Sequence, residues 1–136
     1  MSSNKLPEIK GDILTPESTG YNAAIARWAA NAERKAKIVA FVKDKQDVVE
    51  CLKFAKDSAL PIAVRCGGHS VGGASSVEGG LVIDLSRYLT SVTIDADKKL
   101  GYVGGGCVWA DVDKAAIKYG LATVGGTVNH VCALFI

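Results

Sequence analysis

The sequence predicts an α+β fold of small mixed sheets with flanking helices. Lys37-Ile38-Val39-Ala40-Phe41-Val42 and the run containing Ile62 and Val64 read as short buried strands on either side of a helical stretch. That strand–helix–strand order normally makes a right-handed crossover between parallel strands. Ser91 to Asp95 and Lys99 to Val103 form a hairpin pattern around Asp97-Lys98. Val108 to Tyr119 returns to helical spacing.

Residues 1–16 are polar, with Pro7 and Pro16, and read as a loose arm or first turn ahead of one domain spanning 17–136. Tyr21, Ile25, Trp28 and Ala29 recur at helical spacing within Glu17 to Lys35, so a helix is expected to begin near Pro16. Asp47 is placed to cap a second helix running to about Ser58, with Val48, Cys51, Leu52, Ala55 and Ala59 on one face. Leu60-Pro61 turns the chain into the next strand, and Leu81 to Leu85 is another. In the last helix Trp109, Val112, Ala116 and Tyr119 share a face, and Gly120 stops it. Leu121 to Val124 reads as a final short strand.

With 136 residues the chain can bury roughly two-thirds of its unfolded surface. Hydrophobic residues make up 49% and aromatic ones only 7%, so the core must be built mostly of Val, Ile, Leu and Ala. A net charge of +2 without a Lys/Arg block argues against nucleic acid and anionic membranes as partners. The N-terminus has no apolar signal-peptide core, and no stretch approaches the ~20 apolar residues of a membrane span. A cytoplasmic setting is therefore expected. Cys51, Cys66, Cys107 and Cys132 lack C-x-x-C or metal-ligand spacing and read as free thiols, so no metal is expected.

The stretch Arg65-Cys66-Gly67-Gly68-His69-Ser70-Val71-Gly72-Gly73 carries the most chemistry. An apolar strand breaks into glycines around one histidine and one serine. Bare N–H groups in such a loop form a natural anion cradle, and the histidine puts a nucleophilic nitrogen beside whatever is held. Neither the phosphate-loop pattern G-x-x-x-x-G-K-[ST] nor the dinucleotide pattern G-x-G-x-x-G occurs. A plain connection is the weaker alternative, and glycine clusters following further strand-like runs at Gly104-Gly105-Gly106 and Gly125-Gly126 weaken it more.

The string Arg65-Cys66-Gly67-Gly68-His69-Ser70, with Gly73, resembles the flavin loop of FAD-linked oxidases of the p-cresol methylhydroxylase (PCMH) type, the berberine-bridge-like branch above all. The resemblance continues through Val82-Ile83-Asp84-Leu85-Ser86, Gly104-Gly105-Gly106, Trp109-Ala110-Asp111-Val112-Asp113, Tyr119-Gly120-Leu121-Ala122-Thr123 and Val124-Gly125-Gly126-Thr127. It runs from about Tyr21 to Val131. It implies the N-terminal part of a PCMH-type FAD-binding domain, in an enzyme oxidising an alcohol, sugar or related C–H substrate.

By that resemblance His69 matches the histidine that bonds covalently to the 8α-methyl carbon of the flavin. Arg65, Cys66, Gly67, Gly68, Ser70 and Gly73 form the cofactor cradle, and Gly125, Gly126 and Thr127 form a second backbone wall against the flavin. Arg65 either lends charge or is exposed or salt-bridged at a strand end. Trp109 and Asp84 are expected to be a core aromatic and a polar strand-end residue. The second flavin-linking cysteine of some members falls at Val128, so that role passes to no cysteine here. His130 lies near the flavin by analogy, in a tail that leaves the pattern from Val131 to Ile136, with Cys132 where a glycine is expected. That tail reads as a truncation. The catalytic base and substrate contacts come, in the family, largely from later segments, so none is nominated. Alternative readings are an inactive fragment and a non-flavin anion- or nucleotide-binding module.

Overall fold

A computed structural model describes residues 6–133; residues 1–5 of the expected arm and residues 134–136 of the diverging tail lie outside the described residues. In chain order the elements are β1 (Asp12–Leu14), α1 (Tyr21–Ile25), a 3₁₀ turn at Ala30–Ala32, β2 (Ile38–Phe41), α2 (Lys45–Asp57), β3 (Ile62–Arg65), β4 (Leu81–Asp84), β5 (Val92–Asp95), β6 (Leu100–Val103), α3 (Trp109–Ala116) and a 3₁₀ turn at Ile117–Tyr119. The α+β expectation holds.

Four strands form one sheet in the order β1-β2-β4-β3, and β5 and β6 form a separate hairpin. β2 and β3 both run parallel to β4, which lies between them, while β1 pairs antiparallel with β2. Because β2 and β4 are covered on both faces, all their residues are buried, which explains their unbroken apolar runs. Val39, Phe41 and Val82 face Tyr21, Ala24 and Ile25 of α1. Ile38, Ala40, Val42, Leu81 and Ile83 face Cys51 and Ala55 of α2.

Asp44, rather than Asp47, caps α2, accepting the N–H groups of Gln46 and Asp47 at 2.9 and 3.0 Å. Asp47 sits buried in the first turn and accepts from the N–H groups of Lys10, Gly11 and Lys43. This carboxylate ties the incoming chain to α2 and lays residues 12–14 beside β2, so that part of the expected arm is a strand.

The helix expected over Glu17 to Lys35 shrinks to α1. The Trp28 N–H goes to Gly68 O instead of continuing the helical ladder, and Arg27 donates to the carbonyls of Ala24 and Ala26. Ile62 and Val64 are not buried: β3 is an edge strand, and they are 40% and 50% exposed while Ala63 is covered. On α2, Leu52 is likewise exposed. On α3 Trp109, Val112 and Ala116 are buried as expected, but tightening to 3₁₀ at Ile117 swings Tyr119 outward. Gly120 stops that turn in the left-handed conformation. Leu121 to Val124 is not a strand; the Leu121 N–H closes the helix end on Ala116 O, and Val124 is 90% exposed.

Candidate functional site

β3 delivers the chain to the histidine loop, and its last residue anchors that loop from below. Arg65 Nη1 donates to Asp84 Oδ2 at 2.7 Å and to Ser86 Oγ at 3.1 Å. Asp84, fully buried at the end of β4, also accepts from the Ser86 N–H and hydroxyl. Of the two roles weighed for Arg65, the ion pair is the one realised. Arg27 lies alongside: its guanidinium holds Ser75 O from Nε and Nη2, at 3.1 and 2.7 Å. Burial and then the Arg65 charge lower the Arg27 pKa, with Asp84 opposing. Arg65 is thus paired with the buried Asp84, and Arg27 lies beside that pair under the further influence of Glu33.

Gly68 rests on the two arginines at φ +69°, where a Cβ would lie 3.2 Å from Arg27 Cδ and 3.3 Å from Arg65 Nε. Only glycine takes this conformation without strain while letting the backbone come so close. Within the loop, Gly73 N–H bonds Ser70 O and Ala74 N–H bonds Ser70 Oγ. The N–H groups of Gly68, His69, Ser70, Val71 and Gly72 donate to none of the described residues. Successive N–H groups without a protein acceptor are the donors an anion cradle requires.

His69 stands at the edge of the cradle between two rings. Trp28 stacks on it with centroids 5.5 Å apart and planes 26° apart, and His130 lies tilted against it at 4.6 Å. Burial, and then the neighbouring His130, lower the His69 pKa below the ordinary 6.5. Both influences favour the neutral imidazole, in which one ring nitrogen is unprotonated.

His130 is brought there by α3. The first N–H groups of α3, on Trp109 and Ala110, donate to Val131 O and Asn129 O at 3.1 and 2.7 Å. These carbonyls do the work of a side-chain cap, which Val108 cannot supply. They bracket His130 and run its segment past Gly67, whose added Cβ would lie 3.1 Å from His130 O. Gly125 and Gly126 are seated on the Trp109 ring; a Cβ on Gly126 would fall 2.6 Å from Trp109 Nε1. They and Thr127 are exposed, above α3. Cys66, Gly67, Gly68, His69, Ser70 and Gly73 therefore lie in one loop anchored by Arg65 at the end of β3, and the structure adds His130 to it. Trp28 was missed because its helical spacing with Tyr21 and Ile25 placed it on a continuing helix, and Arg27 carried no periodic signal; the signal was an Arg-Trp pair adjoining the end of a short helix.

The FAD binding domain family matches residues 36–133. An uncharacterized FAD-linked oxidoreductase of Bacillus subtilis, YgaK, is 35% identical over 124 residues, covering 91% of this chain and 27% of that protein. The (R)-6-hydroxynicotine oxidase of Paenarthrobacter nicotinovorans is 34% identical, with 87% of this chain and 26% of the oxidase covered. The crystal structure of 6-hydroxy-D-nicotine oxidase from Arthrobacter nicotinovorans superposes with a TM-score of 0.90 at 32% identity, over 93% of this chain and 28% of that one. A carbohydrate oxidase from Microdochium nivale, at 20% identity and a TM-score of 0.80, shares the fold. The chain spans about a quarter of the length of these relatives. With the family matched across most of the sequence and the fold superposing over nearly all of the chain, this chain belongs to the FAD-binding domain family and its cofactor is FAD.

Proposed function

We propose that residues 17–136 form a partial PCMH-type FAD-binding domain in a flavin-dependent oxidoreductase acting on an alcohol, sugar or related C–H substrate, with His69 as the point of covalent flavin attachment. The observation that carries this reading is the run of N–H groups from Gly68 to Gly72 without a protein acceptor, above Arg27 and Arg65 and beside an imidazole whose pKa is lowered. Those donors suit the FAD diphosphate, since they supply hydrogen bonds without needing a counter-ion. Ser70 Oγ already accepts from the Ala74 N–H, so its hydroxyl proton is free to donate to a phosphate oxygen. Arg65 acts from beneath, its charge pinned by Asp84, while Cys66 and Gly67 form the foot of the loop and Gly73 its exit. Gly125, Gly126 and Thr127 provide the second wall from above α3. FAD, when bound, supplies the two-electron redox chemistry. His69 offers an unprotonated nitrogen, and Trp28 fixes the plane of its ring.

The substrate class follows the relatives, named for oxidation of a hydroxynicotine and of carbohydrates. A cytoplasmic setting belongs to the same proposal. No helix of the described residues is long and apolar enough to cross a membrane.

The test is acid precipitation of the chain reconstituted with FAD. Flavin absorbance is expected to stay with the pellet and to map by peptide mass spectrometry to His69. In His69→Ala it should move to the supernatant, because the backbone cradle survives. Wild-type colour released entirely by acid refutes covalent attachment, and no FAD retained before acid refutes the cradle.

A further inference from the structure

Three of the four cysteines converge under the histidine loop from separate parts of the sequence. Cys66, at the end of β3, donates its thiol to Cys107 O at 3.3 Å. That same carbonyl accepts the Ala133 N–H at 3.0 Å, and Val108 pairs antiparallel with Cys132. A Cβ on Gly67 would lie 3.2 Å from Cys132 N. Cys66 and Ala133, the residue after Cys132, thus share the Cys107 carbonyl, and Gly67, the residue after Cys66, runs beside the Cys132 backbone. The Cys107 thiol turns elsewhere, toward Ser91 O at 3.5 Å. Of the four thiols only Cys132 is not buried.

We propose that Cys66 and Cys132 are a disulfide-forming pair, a covalent modification site that ties the foot of the histidine loop to the segment carrying His130. Burial, and then the charge and hydrogen bonding of Cys132, push the Cys66 thiol up to about 12, so Cys66 is a poor first nucleophile. The partly exposed Cys132 reacts first. With hydrogen peroxide as oxidant, the Cys132 thiolate attacks one peroxide oxygen, the O–O bond breaks, and sulfenic acid and hydroxide form. The Cys66 sulfur then attacks the Cys132 sulfur. The S–S bond forms, the S–O bond breaks, and the Cys66 proton leaves with the hydroxyl group as water. Two thiols are oxidised by two electrons in total, and one peroxide is reduced to two waters. Closing the bond fixes residues 130–132 against Gly67 and holds His130 on His69. None of this depends on bound flavin.

The experiment treats the dilute chain with a few equivalents of hydrogen peroxide, caps remaining thiols with an alkylating agent, and maps peptides without reduction. A Cys66–Cys132 peptide lighter by two hydrogens is expected, reversed by dithiothreitol and retained in Cys107→Ser. Cys132→Ser should leave Cys66 as an uncapped-until-unfolded thiol with no partner. A Cys66–Cys107 bond, Cys132 oxidised without any bond to Cys66, or disulfides only between molecules overturns the proposal. Because the decisive map is made on the wild-type chain, it does not depend on any variant folding.

Discussion

His69 is stacked on a tryptophan and faced by a second imidazole, and both neighbours act on its protonation in one direction. Desolvation disfavours the charged ring, and the neighbouring His130 disfavours it further. In Trp28→Ala the His69 titration midpoint, followed by NMR of the ring protons, should rise toward 6.5 as water reaches the exposed face. The sign for stability follows from the same shift. The unfolded chain binds this proton more readily than the folded one, so His69 opposes folding at low pH. That penalty is complete below the folded-state pKa and disappears as pH rises through 6.5. Denaturation midpoints measured across this range should therefore depend less on pH in Trp28→Ala than in the wild type. An unchanged midpoint in the variant would mean that the stack does not desolvate the ring.

Helix α3 depends on residues beyond its own C-terminus. Its opening N–H groups are satisfied by Asn129 O and Val131 O, and the approach to those residues is set by Gly125 and Gly126 on the Trp109 ring. Gly126→Ala would put a methyl group 2.6 Å from Trp109 Nε1. The segment must lift, at a cost of about 1–3 kcal/mol for overpacking. Two readouts should move together: the denaturant midpoint falls, and the His69 titration shifts upward as His130 withdraws. A variant with reduced stability but an unaltered His69 titration would show that the seat on Trp109 does not position His130. The edge strand β3 has a different weakness. Ile62 and Val64 lie exposed on a sheet edge, where neighbouring chains can pair.

Across the molecule, stability is concentrated in the four-stranded sheet. β2 and β4 are buried on both faces between α1 and α2, whereas every residue of β6 is exposed and the hairpin pairs with no other strand of the described residues. Hydrogen exchange should show the slowest amides in β2 and β4, opening only with global unfolding, and much faster exchange in β6. Equal protection of β6 and β4 would mean that the two sheets unfold as one unit. The histidine loop grows from the protected sheet through β3, while His130 comes from the more loosely held side. The redox-active cysteine pair bridges these two parts.

What the sequence determined by itself was whatever depends on neighbours in the chain. The unbroken apolar runs of β2 and β4, the hairpin about Asp97-Lys98, the helical face of Trp109, Val112 and Ala116, and the stop at Gly120 all follow from periodicity and turn chemistry. The glycine-histidine loop was legible for the same reason: strand, glycines and histidine are contiguous. Only the tertiary structure decided which residues surround that loop. Insertion of β4 between β2 and β3 made β3 an edge and exposed Ile62 and Val64. Diversion of the Trp28 N–H to Gly68 O ended α1 and turned a tryptophan expected within a helix into the partner of His69. The free N–H groups of α3 drew in the diverging tail, bringing His130 and Cys132 to a loop some sixty residues earlier. These outcomes were set by hydrogen-bond donors and acceptors pairing across long sequence separations, and such pairings leave no periodic trace in the chain.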